Sequence, residues 1–259
     1  MTSGKQARRQ RQAVARPPVR STGGGRKASP TVLIGALVGI AAVAAVVAVV
    51  LVLTGGSSGT KTGTPLADAA VIRTQLAGIP QHGNVLGNAS APVTLVEYID
   101  LQCPVCRQFE TEVMPTLIER YVRPGKLKVE ARPIAFIGPD SERGRSATIA
   151  AFQQNRGFNF SQLLYFNQGA ENGGWLDDQM VADAAASIPG LDAAKLQSSL
   201  DSESVSAASR RYDAQAQADA VSGTPTLLVG RTGRPLDNLG AGLPTEASLG
   251  ARIEKLAAQ

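Results

Sequence analysis

Residues 93–106 read VTLVEYIDLQCPVC. The first seven are β-branched or apolar apart from Glu97, the pattern of a strand buried on both faces. Beyond Cys103-Pro104-Val105-Cys106, the residues Phe109, Val113, Leu117 and Tyr121 recur at four-residue spacing. That spacing predicts a helix over 104–122, and Pro115 should kink it. The cysteine pair thus sits where a strand gives way to a helix.

Cys103 and Cys106 are the two cysteines of the chain. Side chains three apart on a helix lie about 5–6 Å apart at Cβ, and small rotations bring them within reach of a disulfide. Pro104 suits the first helical position, where a missing N–H costs no hydrogen bond. Cys103 then falls at or near the N-cap, facing unpaired N–H groups and the positive end of the helix dipole. Such a place favours thiolate, the attacking species in disulfide exchange. Cys106, one turn in, would face the interior and resolve a mixed disulfide. A structural disulfide, half of a zinc site and chance spacing are the alternatives. So small a loop removes little entropy from the unfolded chain, and zinc wants four ligands where the chain adds only His82. No metal and no cofactor is expected.

Working outward, 127–136 reads as a second strand interrupted at Pro133. A long helical stretch follows over about 141–220, broken near Gly157, Gly173-Gly174 and Pro189-Gly190, and holding the single Trp175. Residues 226–230 read as a short strand, 231–234 as a turn and 245–258 as a terminal helix. Upstream, 79–92 looks like loop, and 66–78 carries a weak apolar stripe that allows a short helix. This order predicts an α/β fold, a mixed sheet with a helical insertion.

The N-terminal part differs in kind. Eight of the 26 Lys and Arg lie in residues 1–30, which hold no Asp or Glu; the remaining 18 face 21 acidic residues, a formal −3. The basic pI of about 9.5 therefore belongs to the arm, and a nucleic-acid partner is not expected. Residues 31–53 carry no charge and are almost wholly apolar; as a helix they reach roughly 35 Å, enough to cross a bilayer. The expected organisation is a disordered basic cytoplasmic arm (1–30), a transmembrane helix (31–53), an extracytoplasmic linker (54–78) and a folded domain (79–259). The basic arm keeps the N-terminus cytoplasmic. A cleaved signal peptide is the rival reading, but its apolar core and basic start are shorter.

VTLVEYIDLQCPVC, together with SGTPTLLVG at 222–230, resembles the bacterial DsbA-like proteins of the thioredoxin-fold superfamily. The resemblance covers about 79–258 and implies a thioredoxin-like sheet with a helical insertion. It implies a thiol–disulfide oxidoreductase in which Cys103 is the nucleophile and Cys106 resolves. A cis-proline facing the pair falls on Pro225. Thr224 before it, with Pro104 and Val105, should carry the substrate segment. A buried carboxylate that exchanges a proton with Cys106 falls on Glu97; the competing expectation is that Glu97 faces solvent or a salt bridge. Many oxidising relatives hold His where this chain has Val105. That departure points away from a potential of about −120 mV and toward the −270 mV or so of thioredoxin.

The function this implies is an oxidase that introduces disulfides into exported proteins and is reoxidised by a quinone-linked membrane partner. A reductase or isomerase with the pair kept reduced is the alternative, and a non-catalytic binding module is a third. His82 reads as a loop residue. Asp100 and Gln102 either tune the site or lie solvated at the strand end. Trp175 should pack in the insertion, and Arg143, Arg145, Arg210 and Arg211 should form solvated faces. Sequons at Asn88 and Asn159 have no meaning in a bacterial setting.

Overall fold

The computed structural model describes residues 63–259. The basic arm, the predicted transmembrane helix at 31–53 and the start of the linker lie outside the described residues. Among the described residues, no helix is long and apolar enough to cross a membrane.

The central strand is β3 (Val93–Ile99), with all seven residues buried. Glu97 is buried with the others, at 1 % exposure, which overturns the expectation that it faces solvent. The chain then enters a helical run, α2 (104–122), and returns as β4 (Leu127–Pro133), parallel to β3. On β4 every second residue is buried, from Leu127 to Pro133, so one face meets the core. The strand stops at Pro133 and does not reach Phe136, which is exposed. Proline has no N–H to continue the ladder.

Helix α2 is not simply kinked at Pro115. It alternates α-helical segments (Pro104–Gln108, Met114–Leu117) with π-helical turns (Phe109–Val113, Ile118–Val122). The widened turn before Pro115 takes up the irregularity that a missing donor imposes, as π-bulges do.

Residues 79–92, expected as loop, contain two short strands, β1 (Gln81–His82) and β2 (Val85–Leu86), turning at Gly83 with φ 58°. β2 pairs antiparallel with β4. His82 lies exposed on β1. Before them, α1 (Ala69–Gln75) packs Ile72 into the core, with Leu76 just beyond it. That part of the expected linker is therefore built into the folded unit.

The insertion consists of α3 (Pro139–Phe152), α4 (Gly157–Phe166), α5 (Asp178–Ala186), α6 (Ala193–Ser199) and α7 (Glu203–Ala218). Three breaks fall near the expected Gly157, Gly173-Gly174 and Pro189-Gly190, while a fourth, at 200–202 between α6 and α7, was not expected. Asp177, Asp192 and Ser202 cap α5, α6 and α7 by accepting a backbone N–H. Arg145 does not lie on a solvated face. It is 9 % exposed and holds both carboxylate oxygens of Asp213 at 2.9 Å, tying α3 to α7. Arg143 pairs with Asp178 and Arg210 with Glu203.

After the insertion come β5 (Thr226–Arg231), β6 (Asp237–Ala241) and α8 (Glu246–Ala257). β5 runs antiparallel to β3 and β6 antiparallel to β5, giving a six-stranded mixed sheet in the order β1-β2-β4-β3-β5-β6. Central β3 therefore delivers its C-terminal end, and the cysteines beyond it, to the edge where β5 begins.

Candidate active site

Cys103 is the N-cap of α2, with extended backbone (φ −70°, ψ 120°), and Pro104 stands at the first helical position. The backbone N–H of Cys106 points at the Cys103 sulfur, 3.4 Å away. Both cysteines are free thiols and buried, Cys103 at 6 % exposure and Cys106 at 0 %. The Cys103 thiol is lowered to about 6. The largest cause is the hydrogen bond from Cys106, assisted by Thr224 and by the backbone N–H groups of Cys106 and Val105; burial opposes them. Burial pushes the Cys106 thiol in the other direction, well above its ordinary value, and the adjacent Cys103 adds to this. One sulfur is thus readied as thiolate and the other as thiol, a consequence of their places on one helix turn.

Thr224 and Pro225 come to this pair through sheet register. Tyr98 of β3 is opposite Thr226 of β5, so the two residues before Thr226 lie beside the turn that follows β3. The Thr224–Pro225 bond is cis. The Cys103 thiol lies 3.2 Å from the Thr224 carbonyl oxygen. Val105 is partly exposed at the rim. The structure therefore brings Cys103, Cys106, Pro104, Val105, Thr224 and Pro225 together.

Asp100 and Gln102 are not solvated, as both have 0 % exposure. Asp100 Oδ1 accepts from the Gln102 N–H and the Ser141 hydroxyl, and Oδ2 from the N–H groups of Phe136 and Ile137. The Asp100 carbonyl accepts from Tyr165 and from the Cys103 N–H. Gln102 exchanges hydrogen bonds with Asn172, and Gln168 of the insertion donates to the carbonyls of Leu101 and Cys103. The turn that sets Cys103 is therefore held on three sides, which fixes the sulfur against the cap.

Glu97 lies on β3 behind the cysteines. Its contact is Glu110, a buried carboxyl of α2 that reading the sequence did not single out. The one signal was spacing: Glu110 stands four residues after Cys106 and next to Phe109 of the apolar stripe.

The comparisons with known proteins follow the same lines. A family model described as thioredoxin matches residues 81–238. The chain is 30 % identical over 147 residues to the probable disulfide bond formation protein D of Bacillus cereus, covering 56 % of this chain and 68 % of that protein. It is 25 % identical over 147 residues to disulfide bond formation protein D of Bacillus subtilis, covering 56 % and 66 %. Among solved structures, oxidised BdbD of Bacillus subtilis superposes with a TM-score of 0.60 at 22 % identity, over 76 % of this chain and 98 % of that one.

Proposed function

As the chain belongs to the thioredoxin family and is a DsbA-like thiol–disulfide oxidoreductase, we propose that it is an extracytoplasmic oxidase that introduces disulfides into exported proteins. The observation that carries this reading is the placement of the two sulfurs: Cys103 caps α2 with the Cys106 N–H aimed at its sulfur from 3.4 Å, which favours its thiolate, while Cys106 is fully buried. Stabilising the Cys103 thiolate stabilises the reduced protein, and a more stable reduced form makes its disulfide the stronger oxidant.

In this reading the resting protein holds a Cys103–Cys106 disulfide. A substrate thiolate attacks Cys103 Sγ, the sulfur at the rim, and the Cys106 sulfur leaves with the electron pair of the broken bond. Cys106 then takes up a proton. A second substrate thiolate attacks the substrate sulfur of the mixed disulfide and releases Cys103 as thiolate. Two substrate sulfurs are oxidised and the protein pair is reduced by the same two electrons. Thr224, Pro225, Pro104 and Val105 form the ledge against which the extended substrate segment rests, Glu97 serves the proton exchange of Cys106, and a quinone-linked membrane partner restores the disulfide.

The domain organisation expected from sequence belongs to the same proposal. Residues 31–53 anchor the chain in the bilayer, and the folded unit that begins with α1 at Ala69 forms the extracytoplasmic redox domain. Cysteines placed singly at Ser3 and Ser57, in a background lacking Cys103 and Cys106, test it with a membrane-impermeant maleimide. Intact cells should label Ser57→Cys and not Ser3→Cys; the opposite pattern reverses the orientation.

The second reading, a reductase or isomerase, is favoured by Val105, which offers neither charge nor a side-chain donor beside Cys103. Trapping the pair in intact cells with a thiol-blocking mass tag separates the two. An oxidised pair is expected; a reduced pair would promote the reductase.

A further inference from the structure

The backbone that leads into the folded unit is clasped before α1 begins. The Thr64 N–H donates to Asp183 Oδ1 at 2.6 Å and the Leu66 N–H to the Ser187 hydroxyl at 2.7 Å, so this stretch lies along α5. Gly63 packs on the same helix so closely that a Cβ there would stand 2.1 Å from the Ala182 carbonyl oxygen. The chain is therefore held from Gly63 onward. Residues 54–62 separate that point from the proposed anchor at 31–53. Fully extended, that stretch reaches at most roughly 35 Å.

Helix α1 follows at once, and its outer side carries Val71, 56 % exposed, and Arg73, also exposed. Two hollows flank it. One, of about 500 Å³, is a shallow groove lined by Ala70, Val71 and Pro115. Glu119 at its edge is held by Arg123. The other, of about 300 Å³, lies between α1 and the insertion and is lined by Arg73, Arg156, Asn159, Ile188 and Pro189. Ile188 follows Ser187, so this second hollow lies beside the clasp.

Among the described residues, no Asp or Glu lines the second hollow, and neither Arg73 nor Arg156 has a carboxylate partner. Arg156 is fixed through Nε and Nη1, which donate to the carbonyls of Pro189 and Asn155 at 3.2 and 2.9 Å. That leaves Nη2 as a positioned donor. Asp183, one turn before Ser187 on α5, is occupied by Thr64 and Gln179. Two guanidinium groups sharing a hollow without a counter-charge repel one another, and an anion between them relieves this. Guanidinium suits phosphate, which it meets with paired N–H donors. An exposed apolar side chain beside basic ones fits the boundary between headgroups and acyl chains. The short reach of 54–62 holds this face at a high local concentration of lipid.

We propose that this face of α1 rests on the outer leaflet, with the phosphate of an anionic phospholipid between Arg73 and Arg156 and with Val71 against the lipid. This rests on 31–53 being the anchor put forward above. Docked in this way, the redox domain stays at the membrane surface, beside the partner that restores its disulfide.

The test is hydrogen exchange of the full chain reconstituted in vesicles of phosphatidylcholine, alone or mixed with phosphatidylglycerol. Amides of 69–80 should exchange more slowly in the anionic vesicles only. Arg73 is exposed and has no ion-pair partner among the described residues, so replacing it leaves the contacts of the fold in place. Each arginine near an anionic surface contributes about fivefold in occupancy, so Arg73→Gln should remove about that factor of protection and Arg73→Lys should keep most of it. Arg234→Gln, at an exposed position between β5 and β6, should change nothing. Equal exchange in the two kinds of vesicle would overturn the proposal. So would an equal response to Arg234→Gln, which would mean diffuse attraction. The full chain in neutral detergent with inorganic phosphate separates the sources: slowing there but not in anionic vesicles would replace the lipid by a free-phosphate site. Carbonate washing of the phosphatidylcholine vesicles tests the anchor by itself. A chain retained there but unprotected on anionic vesicles sinks the headgroup site alone; a chain washed out yet protected on anionic vesicles sinks the anchor alone.

Discussion

The Cys103 sulfur lies 3.2 Å from the Thr224 carbonyl oxygen, across 121 residues of chain. The contact joins the N-cap of α2 to the loop that enters β5, so the thiol is shaped by two distant segments at once. Alkylation of the reduced protein should follow a single titration with a midpoint near 6, set by Cys103. Cys106, pushed upward by burial, should stay unreactive through neutral pH. The stability of the reduced protein should carry the same signature. A thiol whose folded value lies below its unfolded value of about 8.5 contributes fully above that unfolded value, and the contribution is lost as pH falls through about 6. The oxidised protein has no such thiol. Urea unfolding of both forms between pH 5 and pH 9 should therefore show the stability of the reduced form rising relative to the oxidised form as pH increases. A flat difference would contradict the lowered thiol.

Val105→His should make the pair more oxidising. Position 105 is partly exposed and adjacent to the Cys103 cap, so a histidine there can place positive charge and an N–H donor near the sulfur. The thiol midpoint should fall below that of the native protein, and each unit lost should raise the reduction potential by about 30 mV. The native potential should lie between about −270 and −120 mV, since a thiol near 6 stands between thioredoxin and the most oxidising relatives. Equilibration with glutathione measures both proteins. A histidine variant with the native potential would mean that position 105 does not reach the sulfur.

Asp100 should prove an anchor that asparagine cannot replace. Each of its side-chain oxygens accepts two hydrogen bonds, and three of the four donors are backbone N–H groups. An amide nitrogen would face a donor wherever it turned. Both Asp100→Asn and Asp100→Ala should cost roughly 3 kcal/mol or more, because buried donors are left unpaired. The loosened turn should also let the Cys103 midpoint drift up toward the ordinary thiol range. Chemical unfolding and the alkylation profile check the two effects, and an asparagine variant within about 0.5 kcal/mol of native would refute the account.

How far this site could be read from sequence depends on how local its causes are. The strand 93–99, the helix after it and the breaks of the insertion were legible, because apolar periodicity, glycine and proline act within a few residues. The N-cap place of Cys103 was legible for the same reason. Asp100 and Gln102 were not, because their partners lie 36 to 70 residues away, at Phe136, Ser141 and Asn172. A short polar stretch after a strand reads the same whether it meets solvent or a ring of buried donors. Glu97 was suspected through resemblance, but its burial beside Glu110 depends on the packing of α2 against β3, which no local pattern reports. The strands at 81–86 escaped because two-residue pairings leave almost no periodic signal.

The loop that carries Thr224 and Pro225 is held by a second polar contact, and its parts should be separable by mutation. Asp219 follows α7, a few residues before that loop, and Tyr98 sits on β3, five residues before Cys103. The Tyr98 hydroxyl donates to Asp219 Oδ2 at 2.6 Å, and Arg132 approaches both, at 2.6 Å from the Tyr98 oxygen and 3.2 Å from Asp219. Tyr98→Phe removes one hydroxyl but leaves Arg132 and Asp219 paired, so the loss should be about 1 kcal/mol. Asp219→Ala removes the group through which the loop is tied, and leaves the buried Tyr98 hydroxyl without its acceptor. It should cost more than Tyr98→Phe. Because Thr224 helps lower the Cys103 thiol, a loop released in Asp219→Ala should also raise the Cys103 midpoint, whereas Tyr98→Phe should leave it in place. The alkylation profile of the two variants decides this: equal midpoints would show that the Tyr98–Asp219 contact stabilises the fold without setting the position of Thr224.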